Sequence, residues 1–292
     1  MDSIQKNLVD HVRVLASDIG SRSIQEPQSL RRAQDFIHGS FTGMGLEVRV
    51  QDYEAFGNTT ANLVAFHPDT DLSSPLMLMG AHYDSVRGTP GADDNASAVA
   101  VMLETARIVT AGKGIFPPGA IFVAFSTEEP PSFNTEYMGS RIFVNSLETE
   151  SLAIQGALIL EMVGYYRDEP GTQKIPLTVK WMGFPNTANF IAVVGNGRSR
   201  SLVKEVSRGI LDSDCGLPVE NITIPGSGKL LPEARLSDNA SFWDAGIPAV
   251  MITDTSFFRN PYYHTHQDRP ETLDYQKMRQ LVMGLTHLLS GK

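Results

Sequence analysis

The chain has 292 residues, 41% hydrophobic and 20% charged, which suits one large α/β domain and argues against global disorder. Its formal net charge of −9 and pI near 5.3 argue against nucleic acid as a partner, since a phosphate-backbone binder carries a basic face. A single cysteine, Cys215, excludes an intramolecular disulfide and a cysteine-based zinc cluster.

The first residues lack the basic start and apolar core of a secretory leader. Ile4, Leu8, Val12 and Leu15 instead follow helical spacing, which predicts an amphipathic first helix. No apolar run approaches the roughly 18 residues needed to span a bilayer. With one cysteine, these features favour a cytoplasmic setting; a periplasmic or secreted one would require that a leader had been removed. A helix is predicted over 28–44, then strands Leu46–Val50, Ala61–Phe66 and Leu76–Ala81, a helix over 97–110 and the strand Ala120–Phe125. A helix over 138–147, strands Ala157–Leu160 and Phe190–Val194, a helix over 200–212, strand Ala249–Ile252 and a helix over 274–289 follow. Apolar strands alternating with helices predict a three-layer α/β/α sandwich around a mixed, mostly parallel sheet, as one domain over 1–292. The stretches 165–189 and 213–236 are too long for plain connections and are expected to be lid-like excursions near the site.

The strand Leu76–Ala81 runs into His82-Tyr83-Asp84 and then Pro90-Gly91-Ala92-Asp93-Asp94-Asn95-Ala96-Ser97. Imidazole and carboxylate are ligands of a borderline divalent cation such as zinc, and the carboxyl end of a strand is where open α/β sheets bind ligands. Alternate residues of an extended segment face one way, so His82 is assigned to metal and Asp84 to its other ring nitrogen, fixing the tautomer. The plain alternative is a surface His–Asp pair. Adjacent Asp93 and Asp94 repel unless a cation or donor intervenes. Asp93 is assigned as a carboxylate bridging two metals, with Asp94 and Asn95 shaping the turn. Pro130-Pro131 stops the strand that precedes Glu128 and Glu129, so both carboxylates can turn into one crevice, one on metal and one on water. Glu161 follows the apolar run Leu158-Ile159-Leu160, where an unpaired carboxylate costs several kcal/mol and a cation offsets that cost. His264 or His266, in the loop Asn260–Asp268, supplies the last ligand. His11, His38, His67 and His287 fall on predicted helices or at a strand end and are left unassigned.

In chain order, His82-x-Asp84, Gly91–Ser97, Glu128-Glu129, Glu161-Met162 and His264 resemble the M28 family of zinc peptidases. That family contains aminopeptidases, glutamate carboxypeptidase-like enzymes and, more distantly, glutaminyl cyclases. The resemblance runs from about residue 28 to the C-terminus, and Ser237-Asp238-Asn239 adds a block similar to the family's Ser-Asp-His segment. It implies two zinc ions, one on His82 and Glu161 and one on Glu129 and His264, with Asp93 bridging. It also implies Glu128 as general base, Asp84 as the partner of the liganding histidine, and a cis peptide between Asp93 and Asp94. The family pattern His-Thr-x-x-Asp selects His264 over His266. Asn239 stands where the family has histidine, and Ala234 where some members carry a tyrosine that polarises the scissile carbonyl. Tyr263 and Arg235 are the substitutes proposed for that tyrosine.

The implied reaction is hydrolysis of a peptide bond by water activated on zinc, with Glu128 acting first as base and then as acid. The expected substrate is a peptide or aminoacyl compound, and the leading reading is an aminopeptidase. The alternatives are a glutaminyl cyclase-type acyltransferase and a carboxypeptidase or dipeptidase of the same family. Arg141, Arg167, Arg198, Arg200, Arg235 and Arg259 are candidates to meet a substrate carboxylate. Tyr165, Tyr166, Trp181, Phe184, Phe257 and Phe258 are candidate aromatic walls.

Overall fold

The computed structural model describes residues 1–112 and 119–290; the others lie outside the described residues. The N-terminal helix α1 (Ser3–Arg13) starts on Asp2, whose side chain accepts the Gln5 N–H, and buries Leu8 and Val12. Its C-terminal end widens into a π-helical segment, Val14–Ile19, that carries Leu15 into the core. Helix α2 (Pro27–Gly43) has proline in its first turn and buries Leu30, Ala33, Ile37 and Phe41 at helical spacing.

Strands β1 (Glu47–Ala55) and β2 (Asn58–Phe66) form an antiparallel hairpin. Phe56 and Gly57 both adopt positive φ at its turn, as a two-residue I′ loop requires. Next come β3 (Leu76–His82), α3 (Ala98–Ala111), β4 (Ala120–Phe125), α4 (Gly139–Ser146) and β5 (Ile154–Glu161). The chain ends with β6 (Ile191–Asn196), α5 (Arg200–Asp212), β7 (Val219–Ile224), α6 (Asn239–Asp244), β8 (Ala249–Thr253) and α7 (Tyr275–Ser290). The sheet order is β1-β2-β4-β3-β5-β8-β6-β7. Its centre, β4-β3-β5-β8, is parallel, while β1, β2 and the β6–β8 pairing are antiparallel.

Successive side chains point to opposite faces of the sheet, so the buried strands serve two cores. Phe122 and Ala124 face a core shared with α1, α2, α3, α5 and α7. Ile121, Val123 and Phe125 face a second core that holds Phe143 of α4 and Phe242 and Trp243 of α6. The expected sandwich is therefore present, with unequal coats among the described residues: five helices on one face and the short α4 and α6 on the other. Segment 213–236, read as an excursion, contains β7, which extends the sheet beside β6. Segment 165–189 holds a short 3₁₀ turn, Leu177–Met182. No helix among the described residues is long and apolar enough to cross a membrane.

Candidate metal centre

His82 is the last residue of β3 and Glu161 the last of β5, neighbours in the parallel centre of the sheet. Glu128 and Glu129 follow β4, and His264 sits in the loop between β8 and α7. Parallel strands thus deliver these side chains to one crevice at their carboxyl ends. His82 Nε2 lies 3.3 Å from Glu161 Oε2 and 3.5 Å from Asp94 Oδ1. His264 Nε2 lies 3.1 Å from Asp94 Oδ2 and 3.4 Å from Glu129 Oε2. Two groups result: His82, Asp94 and Glu161, and Asp94, Glu129 and His264. Asp94 belongs to both, one oxygen turned to each.

Asp94, and not Asp93 as expected, therefore stands between the two groups. The Asp93 carboxylate points the other way: Gly164 N–H donates to Oδ1 at 2.9 Å and the Asn260 amide to Oδ2 at 2.7 Å. Both oxygens are spent holding the chain after β5 to the loop before His264. The cis peptide also lies one residue further on, between Asp94 and Asn95. Gly91 opens this turn at φ +59°, and a Cβ there would stand 2.4 Å from the Asp94 carbonyl oxygen.

The ligand-bearing segments are pinned from behind. Asp84 accepts the N–H groups of Glu128 and Glu129, each at 3.0 Å, and its Oδ1 lies 3.3 Å from His82 Nδ1. Asp268 accepts the N–H groups of Asp93 and Asp94 at 2.9 and 3.1 Å. Asn95 reaches across to β5: its Oδ1 accepts the Met162 N–H and its Nδ2 donates to the Leu160 carbonyl, so it grips the strand on both sides of Glu161. Ser237 Oγ donates to Glu161 Oε2 at 2.6 Å. Asn95 and Asp268 were given no such part by the sequence reading. The available signal for Asp268 was a carboxylate close after His264, as Asp84 follows His82.

Burial and mutual repulsion govern the charges. Burial pushes the Glu128 carboxyl well above its usual range, the nearby charge on His82 opposing and those on Glu129 and Glu161 adding. Burial and Asp94 push Glu129 up to about 8. Burial disfavours the charge on His264, but Asp94 and Glu129 outweigh it and raise its pKa to about 10. His82 Nε2 and Glu129 Oε1 are buried and have no hydrogen-bond partner among the described residues. Clustered acids with orphaned, inward-facing N and O atoms are the donor set a divalent cation satisfies.

Tyr263 stacks on His264 with ring centroids 3.7 Å apart, and its phenol is pushed up by burial and by the charges of Asp94 and Glu129, so it stays protonated. Arg235 is placed differently from expectation. Its guanidinium donates to the Ser227 carbonyl and to Asp244 and lies over Trp243, so it does not face the crevice. An apolar cavity of about 130 Å³ opens beside Glu161 and Tyr263, walled by Phe184, Ile222, Leu231, Met251 and Phe258. It occupies the thinly coated face of the sheet at β8, β6 and β7. Of the six aromatics read as walls, Phe184, Phe257 and Phe258 line it; Tyr165 and Tyr166 are buried elsewhere, and Trp181 is 81% exposed.

The family model for peptidase family M28 matches residues 62–289. The chain belongs to peptidase family M28. It is 38% identical over 287 residues to the uncharacterized protein YfbL of Escherichia coli (strain K12), covering 95% of this chain and 85% of that one. Aminopeptidase YwaD of Bacillus subtilis (strain 168) is 27% identical, and the match covers 78% of this chain but 44% of that longer protein. Among solved structures, BSAP, a zinc aminopeptidase from Bacillus subtilis, superposes with a TM-score of 0.74 at 16% identity, covering 97% of this chain and 94% of that one. Porphyromonas gingivalis glutaminyl cyclase gives 0.72 at 19% identity, covering 99% of each chain. The M28 fold is thus shared by hydrolase and cyclase alike, and the site must distinguish them.

Proposed function

We propose that this M28 chain is an aminopeptidase that holds two zinc ions, one on His82, Asp94 and Glu161 and one on Asp94, Glu129 and His264. The observation that carries this reading is the division of the Asp94 oxygens between two histidine–glutamate pairs. A one-metal cyclase site has no use for a second complete group. Zinc, when bound, acidifies an attacking water and polarises the scissile carbonyl.

Glu128 stands free beside this arrangement, its Oε2 3.9 Å from His82 Nε2. Its raised pKa suits a group that takes a proton from water and returns it to the leaving amine. The Tyr263 O–H is the donor proposed for the developing oxyanion. The apolar cavity would take the side chain of the residue being released. Its lining includes Glu161, Glu220 and Glu233 with Lys174 as its only basic residue among those described, a balance that favours an amino terminus over a carboxylate.

The test is zinc content of the purified protein together with release from aminoacyl-nitroanilides bearing apolar side chains. Two zinc ions per chain and chelator-sensitive release are expected. One ion with cyclisation of an N-terminal glutamine peptide would replace this reading with the cyclase.

A further inference from the structure

Arg22 heads the fully buried side chains by residue volume among the described residues, and it lies outside the residues matched by the family model. Its guanidinium donates to five backbone carbonyls: Leu15, Gly20, Tyr83, Pro90 and Gly91. Two belong to the segment leaving α1. The other three belong to the connection between β3 and α3, which carries His82 at one end and Asp94 at the other. The backbone reinforces the contact, because Arg22 N–H donates to Ser85 Oγ at 3.0 Å and Ser85 Oγ donates to the Thr89 carbonyl.

No carboxylate lies within ion-pair distance of this guanidinium among the described residues. Burial lowers its pKa to about 10, while Asp84, Asp268, Asp94 and Glu129 hold it up, so the cation persists at neutral pH. Its charge sits behind the acidic crevice without entering it. A planar guanidinium presents five N–H donors in a fixed fork; a lysine ammonium has three and no fixed plane. Only the former can bind carbonyls from both ends of the connection at once.

We propose that Arg22 is a positioning residue of the metal centre: by clamping the Tyr83 and Pro90-Gly91 carbonyls together it sets the separation of His82 from Asp94, and so allows the shared carboxylate to serve two metal ions. The inference rests on the two-zinc reading above. Without the clamp the connection relaxes, Asp94 turns toward one partner only, and the second ion is held weakly.

The experiment is titration of metal-free Arg22→Lys with Co²⁺ alone, followed by calorimetry and by the visible spectrum of the bound ion, with circular dichroism to confirm the fold. In the unaltered protein, two ions should bind. In the variant the first should bind and the second should weaken by about 10–100-fold, the range typical for partners that orient metal ligands. After zinc loading, kcat should fall in the same proportion with KM unchanged. A folded variant that binds both ions like the parent overturns the inference. Should Arg22→Lys not fold, Ser85→Ala decides: it removes the Oγ that accepts the Arg22 N–H and ties the Thr89 carbonyl, loosening the connection that the guanidinium clamps while the Ser85 N–H bond to the Arg22 carbonyl stays; a weakened second ion supports the clamp, and parental binding overturns it. A parent protein that binds no Co²⁺ overturns the two-metal reading itself, a result distinct from failure of the clamp.

Discussion

The Asp268 carboxylate accepts the backbone N–H of Asp94 at 3.1 Å. Its other oxygen takes the Asp93 N–H, and on the opposite side of the crevice Asp84 accepts Glu128 and Glu129 in the same way. Two buried carboxylates thus each fix a pair of consecutive acidic residues through the main chain. Asp268→Asn retains one acceptor and sets an amide N–H against a second donor. The ion proposed on Asp94, Glu129 and His264 should then bind about 10–100-fold more weakly. Isothermal titration of the metal-free variant measures this, and unchanged affinity would show that Asp268 serves the fold alone.

Asp93 and Asp94 should separate cleanly on mutation. Asp94→Asn should lower the zinc content below two per chain and remove most turnover. Asp93→Asn should keep its zinc but lose stability on the order of 1–3 kcal/mol, because one oxygen facing Gly164 or Asn260 becomes a donor facing a donor. Metal analysis and thermal unfolding of the pair decide. Zinc retained in Asp94→Asn and lost in Asp93→Asn would reverse the assignment.

Glu128→Gln should fold, bind both ions and reduce kcat by about 10²–10⁴-fold, the usual contribution of a positioned general base. Steady-state kinetics alongside metal analysis check both halves. Parental kcat with full metal content removes Glu128 from the chemistry.

Protonation of the metal-free site gives a pH dependence of definite sign. The folded-state pKa of His264 is raised from 6.5 to about 10, so the stability it adds is complete below 6.5 and gone above about 10. Glu129 is raised from 4.5 to about 8, so its penalty on the folded state is absent below 4.5 and complete above about 8. Both make the metal-free protein less stable as pH rises. Zinc must displace the same protons, so its affinity should rise over that window. Thermal unfolding with and without zinc across about pH 6–10 should show a falling metal-free Tm and a growing gain from zinc. A zinc-induced gain that is flat with pH would be the contrary result.

The cavity predicts selectivity. Ala234 lines its wall, so Ala234→Trp should fill space meant for the substrate side chain. Relative to alanyl substrates, kcat/KM for leucyl or phenylalanyl nitroanilides should drop by about 10-fold or more. Equal losses for all substrates would place the side chain elsewhere.

The layered α/β fold and the five regions that form the centre are legible in the amino-acid order alone. Apolar strands ending in His82, Glu161 or the Glu128-Glu129 pair are legible because a charged group straight after a buried run needs a partner. The choice between Asp93 and Asp94 was not legible. Adjacent carboxylates have the same chemistry, and only the backbone path through Asp94 (φ −103°, ψ 87°) and Asn95 (φ −134°, ψ 31°) aims one inward and one away. Arg235 carried the right chemistry, but Asp244 and the Ser227 carbonyl compete for its donors, and those contacts exist only in the folded chain. What Asn95, Asp268 and Arg22 hold was equally out of reach. Their partners are main-chain groups up to 175 residues away, and every residue type offers the same N–H and C=O. Side-chain type reveals which residues suit a metal, whereas the hydrogen bonds that aim them depend on where the backbone passes.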